Sequence, residues 1–368
     1  MNKIKNMIMI AVFAVFVFSI SAMCYISPDA KYSNSERREL AQLPVINTKT
    51  VGNGSFMKEF ENYSADQFPY RDSFRTAKAL FSSFVLNKAE NNGLVFVGGH
   101  ITKIDKEKNE YMMEYAAEVF KGVYEKNIKG KNANVYFSVV PDKNYYLSKK
   151  YMYPSLDYKQ FIDEMKNKTD YMTYIDVTEH LSDANYYKTD THWKQETIAN
   201  VAQVLAEEMG NDVGADYTVK ELDNPFKGVY YGQGALPVKP DTIKYLTNNT
   251  LENSVVTYYD TGKPEVRDMY NMQKAYGKDP YEMYLSGVAP LVVIDNPNAK
   301  TDRELVMFRD SFGSSLAPLM VEGYKKVTVV DLRYMSSSFV GNFVSFENAD
   351  VLFIYSTTIL NDSMSLKK

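Results

Sequence analysis

Residues 304–356 alternate apolar runs with helix-like stretches, and that alternation leaves few folds open. ELVMFRD, KKVTVVDL and DVLFIYS are short apolar runs bounded by charge, as strands buried on both faces are. Between them SSLAPLMVEGY and SFVGNFVSFENA carry apolar residues at helical spacing. The order βαβαβ predicts a parallel sheet covered by helices. Its functional edge should lie at the C-terminal ends of the strands.

The same reading extends upstream. NGLVFVGG, NANVYFSVVPDKN and YMTYIDVT read as strands, and YMMEYAAEVFKGVYEKNIKG and FIDEMKNK as helices. WKQETIANVAQVLAEEMG reads as an amphipathic helix with Ile198, Val201, Ala202, Leu205 and Met209 on one face and Gly210 near its C-cap. Residues 211–290 are rich in Tyr, Gly and Pro and weakly patterned, which suggests an insertion or a long connection.

The N-terminus constrains location. Lys3 and Lys5 precede twenty uncharged residues, 7–26, long enough as a helix to cross the ~30 Å hydrocarbon core. Lysines before the span and Asp29 after it predict a single-pass signal anchor in the cell membrane, with a cytoplasmic tip at 1–6 and the rest outside. The rival is a signal peptide cleaved after the small residues Ser19 and Ser21. The lone cysteine, Cys24, lies within the span, so the exported part holds no internal disulfide and must rest on its core. Met23 before it argues against a lipoprotein. Residues 27–90 read as a helical, membrane-proximal stalk with Phe56, Phe60, Phe74, Leu80 and Phe84 at helical spacing around a break at Pro69, and 91–368 as the α/β domain. A net charge of −4 with both signs well mixed argues against a nucleic-acid partner.

Two stretches carry candidate chemistry. In FRDSFGSS, residues 308–315, Ser311 falls where a strand turns into a helix, with backbone N–H groups nearby to meet an oxyanion. Ser-x-x-Ser in that place also serves as a helix cap. In KTDTHWKQE, residues 188–196, Asp190 and His192 point to the same side of an extended segment, at the expected start of the 193–210 helix. There Asp190 is able to orient His192, and His192 to take the proton of a serine hydroxyl. A helix-capping acid and a packing histidine are the plain alternatives. One Asp-x-His with no second histidine nearby lacks the ligands of a zinc site, so no metal is expected. His100 and His180 have no such setting.

Taken together, DTHW and RDSFG resemble the DHHW family of exported, membrane-anchored bacterial proteins, related to the alginate O-acetyltransferase group with SGNH-hydrolase-like folds. SERRELAQLP, FENYSADQFPYRDSF, NGLVFVGG, VVPDK, YKTDTHW and FRDSFGSSLAP followed by VTVVDLRYM carry the resemblance over nearly the whole chain. It implies a three-layer SGNH-hydrolase-like domain with Ser311 as nucleophile, His192 as general base and Asp190 as its orienting acid. Arg309 stands where the usual Gly-Asp-Ser block has glycine, and separate Gly and Asn oxyanion blocks have no counterpart. Arg309, Arg333, Tyr334 and Lys143 are the further candidates for holding substrate or oxyanion, each with an ordinary ion-pairing role as its alternative.

The implied function is acetyl transfer through an ester on Ser311 to a hydroxyl of a cell-surface or exported polysaccharide. A multi-spanning membrane acyltransferase would supply the acetyl group, and no cofactor is needed. Two other readings stand beside it: a carbohydrate acetylesterase using the same triad, and a non-catalytic envelope protein that binds glycan or assists assembly.

Overall fold

The computed structural model describes residues 2–88, 90–91 and 93–368, and only the backbone of Asn2. Met1 of the expected cytoplasmic tip, Ala89 near the end of the expected stalk and Asn92 at the head of NGLVFVGG lie outside it. The chain forms two compact units: Met1–Asn92 with Val229–Val238, and Gly93–Gly228 with Lys239–Lys368.

In the first unit a single helix, Asn2–Ile26, holds the apolar run; from Lys3 to Ile26 it is long and apolar enough to cross a membrane, and none of it is buried. Short helices follow at Thr48–Gly52, Ser55–Asp66 and Arg71–Leu80. Glu36 and Arg38 of SERRELAQLP and Arg71 and Asp72 of YRDSF join Asp66 and Arg75 in one network. Glu36 meets Arg38 at 3.3 Å and Arg75 at 3.2 Å and also pairs with Arg71, while Arg38 holds Asp66 at 2.6 Å. Arg75 also donates to the carbonyls of Gly232 and Gln233, at 3.0 and 2.9 Å.

The second unit is built on an eight-stranded sheet. We label its strands β1 (Asn134–Val140), β2 (Thr173–Tyr174), β3 (Val255–Tyr258), β4 (Glu265–Val266), β5 (Leu291–Asp295), β6 (Glu304–Arg309), β7 (Lys326–Val330) and β8 (Ala349–Ser356). Their order is β4-β3-β5-β7-β6-β8-β1-β2. The five strands from β7 to β2 are mutually parallel, as the βαβαβ pattern predicts. The weakly patterned 211–290 segment adds β3 and β4, and β5 joins them to β7, all through antiparallel pairing. Alternate residues serve opposite faces. Leu305, Met307, Val327, Val329, Leu352 and Ile354 pack against helices α4 (Ala199–Glu208) and α5 (Phe312–Met320). Val306, Phe308, Val351, Phe353 and Tyr355 pack against α1 (Glu110–Val123) and α3 (Tyr158–Lys168), with α2 (Asn144–Tyr151) between these two in the chain. The result is the three-layer α/β arrangement expected for an SGNH-hydrolase-like domain, with buried apolar side chains on both sheet faces.

Several sequence expectations are corrected. The helix expected from residue 193 begins at Ala199 after a 3-10 turn at Gln195–Thr197. Trp193 instead bridges antiparallel to Tyr186, which makes DTHW the tip of a tight hairpin-like loop. SFVGNFVSFENA forms only a 3-10 turn, Val340–Asn342. Its apolar spacing is helical, but Gly, Asn, Val, Phe and Ser are poor helix formers, and Val340, Val344 and Phe346 reach the core through irregular turns. NGLVFVGG gives a strand, Leu94–Val97, that pairs with His100–Lys103 and stays outside the main sheet. YMTYIDVT keeps only two residues of strand.

Candidate active site

β6 lies between the two strands that follow it in the chain, β7 on one side and β8 on the other, so the sheet reverses direction of winding at its C-terminal end. Clefts open at such points. Ser311 stands there, one residue past Asp310 and at the head of α5. Asp310, fully buried, fixes the turn: its carboxylate accepts from Phe312 N at 3.0 Å and from Ser356 N, at the end of β8, at 2.7 Å. Phe312 to Met320 are all buried, whereas Ser311 is partly exposed. Its side chain makes no cap hydrogen bond, so the helix-capping role is not the one it takes.

The DTHW loop reaches Ser311. His192 Nε2 is 2.7 Å from Ser311 Oγ, and His192 Nδ1 is 2.6 Å from Asp190 Oδ1. Asp190 also accepts the backbone N–H of His192 at 3.1 Å. Asp190 is buried and His192 is mostly so. A carboxylate at Nδ1 selects the tautomer that carries its proton there, leaving a lone pair on Nε2 toward the hydroxyl. Serine, imidazole and carboxylate therefore form one continuous hydrogen-bonded chain.

Trp193, the single tryptophan of the chain, explains the fourth letter of the motif. It is fully buried, and its Nε1–H donates to Phe312 O at 3.1 Å and to Ser315 Oγ at 2.9 Å. That ties the histidine loop to the first turn of α5. Gln195 adds a bond from Nε2 to Ser315 O at 2.8 Å. No motif marks Tyr281, a buried residue that covers one face of the imidazole. It stacks on His192 with ring centroids 3.8 Å apart and planes 7° from parallel, and its hydroxyl lies 2.8 Å from Ser315 Oγ. Burial pushes its phenol well above the usual tyrosine range, so it remains neutral. Its position 89 residues from His192, in an unpatterned segment, gave no periodic or motif signal.

The four further candidates fare differently. Arg309 is buried beneath the turn and donates to Asp331 at 3.0 Å, so it is not open to a substrate. Arg333 chelates the same Asp331 through Nε at 2.9 Å and Nη2 at 2.6 Å, which leaves it partly exposed but committed. Tyr334 beside it is exposed. Lys143, expected at the strand edge, is instead buried, where its Nζ donates to the carbonyls of Tyr187, Lys188 and Asp190 at 2.9, 3.1 and 2.8 Å. It faces the back of the DTHW loop, not a substrate. His100 is buried with Nδ1 unpartnered, and desolvation, followed by the charge of Lys143, depresses it to about 4. His180 ends an exposed 3-10 turn. Among the described residues no group of three His, Cys, Asp or Glu side chains is placed to hold a metal ion.

Fold and site together define an α/β domain with a serine–histidine–aspartate chain at the topological switch of its sheet. The same fold occurs in a DHHW family protein from Eubacterium siraeum, 24% identical, with 76% of this chain and 97% of that one covered and a TM-score of 0.62. Bacillus cereus PatB1 shares it at 21% identity, with 76% and 100% covered and a TM-score of 0.60; a second PatB1 structure carries a sulfonyl adduct, at a TM-score of 0.56 over 75% and 98% of the two chains. No family model and no curated protein matches the sequence. The likeness to a DHHW family protein, drawn first from motifs, thus holds at the level of the fold.

Proposed function

We propose that this chain is an exported, membrane-anchored O-acyltransferase that moves an acetyl group through Ser311 to a hydroxyl of a cell-surface or exported polysaccharide. The observation that carries the reading is the Asp190–His192–Ser311 chain, with links of 2.6 and 2.7 Å at a partly exposed serine. In this scheme Ser311 Oγ bonds to the acetyl carbonyl carbon as its proton passes to His192 Nε2. The carbonyl becomes an oxyanion at the head of α5, where helix N–H groups favour negative charge. Collapse expels the donor's leaving group, which takes the proton from Nε2. In the second half-reaction a sugar hydroxyl gives its proton to Nε2 and attacks the acetyl ester, and Ser311 is restored. Asp190 holds the imidazole and stabilises its cationic form without taking the proton.

Residues 7–26 would serve as the anchor with the N-terminus cytoplasmic, 27–90 as the stalk and 91–368 as the acyl-transfer domain, with a multi-spanning membrane acyltransferase as supplier of acetyl. The test is to incubate the full chain with 4-nitrophenyl acetate and map the adduct by peptide mass spectrometry. Acetyl on Ser311, discharged faster by oligosaccharide than by water, supports transfer. Discharge by water alone points to an esterase, and an unmodified Ser311 removes the catalytic reading.

A further inference from the structure

We infer that Lys143 is a positioning residue for the proposed triad: its buried side chain gathers three carbonyls of residues 187–190 and so fixes the loop that presents Asp190 and His192. The inference rests on the catalytic reading for its meaning, though the geometry stands without it. Lysine is almost never fully buried unless paired, yet Lys143 is 1% exposed at the first residues after β1. Three carbonyl oxygens from four consecutive residues converge on its Nζ. Oxygens brought together in this way repel one another unless a donor sits between them.

The other side of the same segment is held by an anion. Asp241 accepts from Lys188 N at 2.9 Å, Thr189 N at 2.7 Å and Thr189 Oγ1 at 2.6 Å. Carbonyls of the segment thus turn to a cation and its amides to a carboxylate. This opposed pair accounts for a loop with no regular structure that still holds His192 within 2.7 Å of Ser311. A loop held only by packing would lose a donor at each of these carbonyls, of which that of Lys188 also accepts from the backbone N–H of Ile101, at 2.8 Å; a buried carbonyl with no donor at all costs ~1–3 kcal/mol.

The titratable groups around Lys143 are Asp142 on its own turn, Asp190 and Asp241 across from it, and His100, depressed and neutral, on the neighbouring hairpin. The three carboxylates favour its charge, but burial outweighs them and brings the amine down to about 7. A neutral amine offers two N–H groups to three carbonyls and loses the charge that draws them together. The clamp is therefore complete below about pH 7 and loosens above it.

The experiment uses the full chain in detergent and an aromatic sulfonyl fluoride, with the rate of Ser311 labelling read by mass spectrometry from about pH 6 to about pH 9. In parallel, histidine-labelled protein reports the Asp190–His192 bond through its Nδ1 proton by NMR. In the wild type, labelling should fall roughly tenfold across the alkaline half of that range, and the Nδ1 proton signal should fade with it. Lys143→Met should label roughly tenfold more slowly at the acid end and lose the alkaline fall, while its circular dichroism stays native. A Lys143→Met protein with wild-type rates and pH profile overturns the inference. If no Ser311 labels at any pH, the catalytic reading fails by itself, and the NMR arm still decides: an Nδ1 signal that persists in the variant removes Lys143 from the loop's support. Should the variant not fold, the wild type alone suffices. Lysine-labelled protein must then show Lys143 titrating together with loss of the Nδ1 signal, and independent titration overturns the inference.

Discussion

At the residue scale, Tyr281 makes the chemistry of His192 testable apart from the triad. An imidazole that gains a proton during catalysis becomes a cation lying flat on an aromatic face 3.8 Å away. Such contacts contribute ~0.5–2 kcal/mol, which corresponds to a few-fold to roughly thirtyfold in rate. Tyr281→Phe keeps the ring and removes only the hydroxyl near Ser315, whose Oγ still receives the Trp193 N–H. Acetylation of Ser311 should then stay within about threefold of wild type, and Tyr281→Leu should lower it roughly tenfold. Equal rates for Phe and Leu would show that the ring is mere packing. Ser311→Ala should abolish acetyl labelling altogether while shifting stability by no more than ~1 kcal/mol, because it removes one partly exposed hydrogen bond. Normal acetylation of cell-surface glycan by that variant would move the nucleophile elsewhere and bring the non-catalytic reading forward.

At the scale of elements, the histidine loop depends on close approach by another strand of chain. A Cβ built on Gly228 would lie 2.3 Å from Asp190 Cβ and 2.4 Å from Thr189 O, so glycine is needed there for space and not for an unusual φ. Gly228→Ala should push the loop off Ser311 and slow sulfonyl labelling at least tenfold, with an overpacking cost of ~1–3 kcal/mol seen as a lower denaturation midpoint. Unchanged labelling would mean that the loop tolerates displacement and that its fine position is unimportant. The sequence disclosed which residues of the loop meet Ser311 but not the loop's shape. Asp190, His192 and Ser311 were legible because an acid two residues before a histidine and a serine just past a strand are the residue types a proton-transfer chain needs, and β6 through β8 were legible because buried parallel strands are continuous apolar runs. The shape was hidden because the Tyr186–Trp193 bridge and the Lys143 and Asp241 contacts are tertiary. They delay the helix to Ala199 despite an apolar spacing that begins earlier. Residues 211–290 were opaque for a related reason: β3 and β4 are short edge-side strands whose pairing, not whose composition, makes them strands.

At the scale of the whole molecule, two properties follow from charge and burial. The unburied apolar helix from Lys3 to Ile26, preceded by its lysine pair, should remain attached in cells, with residues 27–368 outside. N-terminal sequencing of mature protein checks this, and a start near residue 22 would show a cleaved signal instead. The second property is the direction in which pH moves stability. Lys143 falls from 10.5 to about 7 on folding, so between those values the unfolded chain holds a proton that the folded chain lacks. Raising pH through that window removes the advantage of the unfolded state, and stability must rise. Buried tyrosines act oppositely only above their ordinary range: Tyr187, Tyr281, Tyr284 and Tyr355 are all pushed well above 10.0 by burial, so the unfolded chain ionises first there and stability falls. The expected curve climbs from about pH 7 and turns over near pH 10. Trp193, buried and alone of its kind, reports it by fluorescence in denaturant titrations of the full chain. Lys143→Met should flatten the climb and leave the alkaline fall. A wild-type midpoint that drops steadily from pH 7 to pH 9 would mean that Lys143 keeps its proton throughout, and the clamp on the histidine loop would then be independent of pH.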